Sequence, residues 1–374
     1  MERVPFSGAL FRRARPWRFP GCAGPRLDCS PGLGAPGYNV TVTNERLQAL
    51  REFASRALSD DSLTIEPASV DASFRSYWRV KSEARGESFV VMEAPVGRMS
   101  TAPWLDVARR LRAAGLNAPQ VFAEDPHEGF VLMSDLGSRM YQWELDQSNA
   151  DALYAPALEA LVTMQTKVST DGLDPYDESK LIMELELFPE WFLTKHLGLE
   201  PGSSGWDKIE AAFTILIDAA LEQPTAFVHR DYHSRNLMIV PTGTPGILDF
   251  QDAVVGPVTY DLVSLLRDCY IEWPNERVYA WANAHRDKLV DRGVLKFGEL
   301  RWKRWFDLMG LQRHLKVLGI FCRLNYRDGK PQYLNHLPLV LKYVLQIAEK
   351  NKDLADFATW LRKRVGDRDL TRAA

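Results

Sequence analysis

Three residues in one region have the types and spacing that phosphoryl transfer requires. Asp231 lies in "VHRDYHSRNLMIV", Asn236 follows five residues later, and Asp249 opens "DFQD" after the apolar pair Ile247 and Leu248. A carboxylate such as Asp231 can orient a hydroxyl and accept its proton. Asn236 offers a neutral oxygen and Asp249 a charged one. Mg²⁺ is commonly held by one or two protein oxygens of this kind, with phosphates and water completing its shell. The transition state of phosphoryl transfer needs positioning and charge neutralisation more than covalent help, so one base and two metal ligands form a minimal set. Turn capping would explain Asp231 or Asn236 singly, but not the pair together with "ILDFQD".

The order His-Arg-Asp, four residues, Asn, then Asp-Phe resembles the catalytic and metal-binding segments of protein kinases. "VHRDYHSRNLM" with "GILDFQDAVVGPVTYDL" is more specifically similar to the aminoglycoside phosphotransferase family. That family usually reads H-G-D-x-H-x-x-N, then I-D-F/W, then G-D-P-x-x-D-L. His233 matches its second histidine; Gly256, Pro257 and Asp261 match the third block, whose middle acid is absent here. The resemblance covers about residues 60–350. It implies an α+β, two-lobed, protein-kinase-like fold, with an antiparallel sheet in a small N-lobe and a larger helical C-lobe. It also implies ATP and Mg²⁺ as cofactors, Asp231 as catalytic base, Asn236 and Asp249 as metal ligands, and His229, His233 and Asp261 as supports of the loop.

Three further stretches, "SFRSYWRV", "LDFQDAVVGPVTYDLVSLLRDCYIEWP" and "QRHLKVLGIFCRLNYRDGK", are similar to the members that act on amino sugars. These imply transfer to the anomeric C1 hydroxyl of N-acetylmuramate and/or N-acetylglucosamine, in cytoplasmic peptidoglycan recycling, with a small-molecule amino sugar as partner. The residues by themselves argue only for transfer to a small hydroxyl compound. An aminoglycoside, choline or homoserine kinase stays open, as does a catalytically dead, kinase-shaped binding protein.

The chain departs from the kinase pattern at the phosphates. The third strand, "SFVVMEAP", offers Met92 and Glu93 where a lysine is usual. Arg75 and Arg79 are candidate replacements, Arg75 the better placed of the two. The phosphate-covering turn lacks G-x-G-x-x-G, and Ser73 and Ser76 are its candidate donors. Gln251 stands where kinases have the glycine after Asp-Phe, and can reach a sugar hydroxyl. The segment joining the lobes, "VLMSDLG", is expected to face the adenine around Met133, Ser134 and Asp135. For the sugar, the candidates are Gln251, Asp252, Arg267, Asp268, Glu272 and Trp273, with Arg267 suited to a lactyl carboxylate.

The elements that must position these residues can be read coarsely. Residues 1–40 hold six Pro, six Gly and six Arg, with Glu2 and Asp28 the acids, and are expected to be disordered. Residues 41–134 read as the N-lobe: a helix from Asn44, a hairpin turning at Gly86, a helix closed by Gly115, and a strand in "GFVLMSDLG". Residues 135–374 read as the helical C-lobe. Its two non-helical islands carry the polar clusters, joined by a turn at Gly243 to Gly246. At 374 residues, 46% hydrophobic, 25% charged and net charge −3, the chain reads as a soluble globular protein, with no sign of a nucleic-acid or membrane partner. Cys22, Cys29, Cys269 and Cys322 form no CxxC pair and are expected to be free thiols. His196, His285, His314 and His336 show no metal-ligand spacing.

Overall fold

The computed structural model describes residues 44–69, 75–95, 97 and 99–372. The expected disorder of residues 1–40 and the expected phosphate contact of Ser73 lie outside the described residues, as do Cys22 and Cys29.

The N-terminal lobe is a five-stranded antiparallel sheet between two helices. Its elements are α1 (Asn44–Leu58), β1 (Thr64–Ser69), β2 (Ser76–Ser82), β3 (Glu87–Glu93), α2 (Ala102–Ala113), β4 (Val121–Asp125) and β5 (Phe130–Ser134), with strand order β1-β2-β3-β5-β4. Side chains alternate across each strand, so the sheet has two unlike faces. Phe89, Val91, Phe130 and Leu132 meet Leu50, Phe53, Ala54 and Leu58 of α1. Met92, Val131 and Met133 point the other way, into a core shared with α2 and the rest of the protein. The sequence shows β3 and β5 clearly because each has a buried apolar row, and β2 because it forms a hairpin with β3 across the turn at Gly86. It does not show β4, whose alternation is weak because it forms an edge. Pro67 sits on the opposite edge strand beside a register shift, where a missing N–H does least harm.

The second lobe is mostly helical. It comprises α3 (Tyr141–Glu144), α4 (Ala150–Lys167), α5 (Glu178–Leu185), a π-helical segment (Phe188–His196), α6 (Ser203–Leu221), α7 (Tyr260–Leu266), α8 (Asn275–Asp291), α9 (Glu299–Tyr326), α10 (Leu337–Lys350) and α11 (Ala355–Val365). α9 is packed by α6, α7, α10 and the π-helical segment, and is buried through most of its length. A helix enclosed on every side should be apolar all round. α9 departs from this at Gln312, Arg313, His314 and Lys316, which are buried with it.

Two short strand pairs interrupt the helices: β6 (Thr225–Val228) with β9 (Val254–Pro257), and β7 (Leu237–Met238) with β8 (Gly246–Ile247). β6 delivers the chain to His229 and β7 receives it after Asn236. β8 leads to Asp249 and β9 follows Ala253. The islands expected from the sequence are therefore two loops gripped by apolar strands at both ends. Gly256 in β9 permits this packing: a Cβ there would stand 2.9 Å from the Tyr176 side chain.

Candidate active site

The loop from His229 to Asn236 is held from below by two buried carboxylates. Asp261, at the start of α7, accepts the His229 N–H at 2.6 Å and the Arg230 N–H at 3.0 Å. Asp268, just beyond α7, accepts the Ser234 N–H at 2.9 Å and the Tyr270 N–H at 3.0 Å. These contacts hold Arg230 in the left-handed region, φ 76°, which non-glycine residues occupy at a cost. Asp249 is held likewise at φ 61°. Burial pushes the Asp261 carboxyl up to about 7, against its two N–H donors. Burial also pushes the His229 imidazole down to about 4, leaving it neutral, and its Nδ1 accepts the Asp231 N–H at 3.3 Å.

Asp231 stands half-buried at the tip of this loop. Burial opposes its charge, but the cations around it, Lys316 first, outweigh burial and hold its carboxyl below the ordinary Asp range. The Asn236 side-chain N–H₂ donates to the Asp231 carbonyl at 2.9 Å and lies 3.4 Å from Asp249 Oδ2. The Leu248 N–H donates to the Asn236 carbonyl at 3.0 Å, tying the second loop to the first. Gln251 donates to Asp249 Oδ1 at 2.8 Å. Asp231, Asn236 and Asp249 thus come together, with Gln251 and exposed Asp252 beside them. Among the described residues no group of three or more His, Cys, Asp or Glu could hold a metal. One amide and one carboxylate suit Mg²⁺ whose other ligands are phosphates and water.

Several residues lie elsewhere than the sequence suggested. Arg267 is 1% exposed; it pairs with Asp307 at 2.6 Å, donates to Tyr279 and lies over the Phe306 ring. Trp273 is 4% exposed and donates its indole N–H to Tyr154 at 2.9 Å, in a cluster with Trp281. Both are enclosed in the interior of the helical lobe and bonded to its side chains, so the structure does not bring them to the surface beside Asp231. Glu272 is exposed and pairs with Lys342. Asp268 supports the loop backbone instead of reaching outward. His233 is half-buried and packs edge-on against Tyr270.

The sheet shows a similar redistribution. Ser76 donates its hydroxyl to Glu93 at 2.7 Å, on the face covered by α1, and Arg46 pairs with the same carboxylate. Arg79 is clamped to Asp135, donating to its two oxygens at 2.6 and 3.1 Å, with Ser88 donating to the same group. The Asp135 carboxyl is held below its ordinary range: burial opposes this, and the bonds from Arg79 and Ser88 prevail. Arg79 and the Asp135 side chain are therefore a brace at the join between lobes. Arg75, 8% exposed, immediately precedes β2; strand alternation gives it the same face as Tyr77, which pairs with Met92. Met133 and Ser134 end β5 at the join.

Beneath Asp231 lies a charged cluster that the sequence reading missed. Glu184 of α5 pairs with Arg230, with Lys316 at 2.9 Å, and with the Tyr176 hydroxyl. Lys316 also donates to Tyr260 at 2.9 Å. Arg313, one turn earlier on α9, donates to Cys269 Sγ at 3.3 Å. The signal was present in the sequence: the run "QRHLK" sits between the apolar stretches "LMGL" and "VLGIFC" of α9.

The model of the phosphotransferase enzyme family (APH) matches residues 64–297. The chain belongs to this family. As a family member it is an ATP-dependent kinase with a hydroxyl acceptor, and the loops described above lie within the matched residues. An N-acetylmuramate/N-acetylglucosamine kinase of Pseudomonas aeruginosa is 44% identical over 297 residues, 79% of this chain and 87% of that protein. One of the same name from Neisseria meningitidis serogroup B is 41% identical over 334 residues, 87% of this chain and 98% of that protein. The solved structure of Plasmodium vivax ethanolamine kinase shares the fold, with a TM-score of 0.60 at 10% identity, covering 83% of this chain and 92% of that one. Among the described residues no helix is long and apolar enough to cross a membrane.

Proposed function

We propose that this kinase transfers the γ-phosphoryl group of ATP to the anomeric C1 hydroxyl of N-acetylmuramate and N-acetylglucosamine, giving the sugar 1-phosphates. The observation that carries the reading is the 44% identity to the Pseudomonas aeruginosa kinase named for these two sugars. The reading takes the reaction to be a cytoplasmic step of peptidoglycan recycling, as the sequence resemblance implies.

In this reading Asp231 holds the sugar's C1 O–H in line with the γ-phosphorus and accepts its proton. The new O–P bond forms as the bond to the β–γ bridging oxygen breaks, and ADP leaves. An anomeric hydroxyl is more acidic than an ordinary alcohol, which suits a carboxylate whose basicity is lowered by Lys316 and its neighbours. Asn236 and Asp249 would hold Mg²⁺, which supplies charge neutralisation at the phosphates.

The test is ADP release with Mg-ATP and a panel of N-acetylmuramate, N-acetylglucosamine, kanamycin and choline, with phosphorus NMR of the product. Sugar 1-phosphate is expected. Turnover with kanamycin or choline alone, or a phosphate on another sugar oxygen, would overturn the reading.

A further inference from the structure

Three consecutive residues of the catalytic loop rest on one short stretch that follows α7. The His233 ring meets the Tyr270 ring edge-on, with centroids 5.6 Å apart. The Ser234 N–H goes to Asp268, whose other oxygen accepts the Tyr270 N–H. The Arg235 guanidinium lies over the Tyr270 ring, 3.5 Å from its centroid. The next residue is Asn236. Its own hydrogen bonds run to His233, Asp231, Leu248 and Asp249, all within the two loops. The tie to the helices nearest to it is therefore made by residues 233–235.

Arg235 is placed by more than the stack. Its Nε donates to the Gln142 side-chain oxygen on α3 at 2.8 Å. Its Nη2 lies 3.4 Å from Nε2 of His336, which ends the segment Pro331–His336. The His336 ring also meets the Tyr270 ring edge-on, at 4.8 Å. Four stretches far apart in the chain thus meet at one guanidinium. Arg235 is half-buried, and among the described residues it makes no ion pair. A ring face and a neutral oxygen hold it instead. The stack fixes the plane of the guanidinium and the Nε bond fixes its rotation within that plane, which a lysine could not reproduce.

Resting on Asn236 as a holder of Mg²⁺, as proposed above, and not on which sugar is phosphorylated, we infer that Arg235 is a positioning residue: seated on Tyr270, it sets Asn236 for the cation. The Asn236 side-chain nitrogen is committed to the Asp231 carbonyl, so Oδ1 is the atom left for a metal. A ligand oxygen is only as well aimed as the backbone behind it, and partners that orient a ligand contribute to metal affinity without touching the ion. Without the stack, residues 235 and 236 would shift together. The loss would fall on the metal and spare the nucleotide.

The experiment measures Mn²⁺ affinity by electron paramagnetic resonance, with a non-hydrolysable ATP analogue present, in the wild type, Arg235→Met, Tyr270→Leu, the double variant and Tyr270→Phe. Arg235→Met and Tyr270→Leu should each weaken Mn²⁺ about tenfold. The double variant should lose no more than either single one, because the two residues act as a pair. Tyr270→Phe keeps the ring face and should stay near the wild type. Affinity for the metal-free analogue, measured in EDTA, should not move. Wild-type Mn²⁺ affinity in Arg235→Met, losses that add in the double variant, or an equal loss of metal-free nucleotide binding would each overturn the inference. Should Arg235→Met or Tyr270→Leu prove insoluble, Gln142→Ala, acting from α3 on the Nε bond, decides: weaker Mn²⁺ is expected, and an unchanged value rejects the idea. Asn236→Ala tests the premise separately. Unchanged Mn²⁺ affinity there removes Asn236 as a ligand, a result distinct from an unchanged Arg235→Met beside a weakened Asn236→Ala.

Discussion

Glu184 Oε1 lies 2.9 Å from Lys316 Nζ and accepts from Arg230 as well, joining α5, α9 and the catalytic loop at one carboxylate. Burial would raise its pKa; the charges of Lys316 and Arg230 outweigh burial and lower it. A depressed acid contributes stability above its unfolded value, here 4.5, and loses it as pH falls through the folded value. Glu184→Ala leaves two enclosed cations facing no acid and should cost about 3–5 kcal/mol, read by urea unfolding at pH 7. The deficit relative to wild type should shrink as pH falls below 4.5.

Asp261 carries the opposite sign. Its carboxyl is raised from 3.8 to about 7 by burial, so this group's contribution to stability falls as pH rises between those values. Proton uptake near pH 7 also takes away an acceptor from the His229 and Arg230 N–H groups. Turnover should therefore decline as pH falls through about 7. Asp261→Asn should lower kcat, lose that acidic limb from the kcat–pH profile, and reduce stability by about 1–3 kcal/mol through a mispaired donor.

For the base, Asp231→Asn should reduce kcat by about 10²–10⁴ while nucleotide affinity, measured by calorimetry, stays near wild type. Unchanged turnover would remove Asp231 from that role.

Asn236→Ala removes both the candidate Mg²⁺ ligand and the bond to the Asp231 carbonyl. A titration of rate against Mg²⁺ should show half-saturation moved to higher concentration. An unshifted curve with lower kcat would leave Asn236 only its loop contact.

Asp135→Ala should act on stability more than on chemistry. It leaves Arg79 without its carboxylate at a site where both side chains are largely enclosed. A fall of about 1–3 kcal/mol in unfolding free energy is expected, with kcat little changed.

The grouping of the candidate residues was legible because phosphoryl-transfer chemistry would dictate residue type and spacing together, and because apolar strands bracket both loops. Asp231, Asn236 and Asp249 could be read in one pass. The sugar side was not legible, because Arg267 and Trp273 have types that suit a sugar equally well as an interior. Whether Arg267 faces out depends on Asp307, forty residues away on α9. The same long range hid Glu184, whose partners are separated from it by up to 132 positions. β4 was missed for a local reason: an edge strand buries too little to show a clear alternation.

The brace at the join also limits how the cleft can open. Arg79 grips Asp135 and the Gly137 carbonyl, so the chain moves with the sheet as far as residue 137. On the other side, the Arg139 carbonyl accepts the Ile239 N–H and Met140 bridges Met238, so the helical lobe begins at once. Only Ser138 lies between the two anchors, after Gly137 at φ 87°, and the Asn117 carbonyl accepts the Ile247 N–H at 2.9 Å, tying the sheet side to the helical lobe a second time. Any widening of the cleft would then have to strain both ties at once, so motion there should be a small flex and not a wide swing.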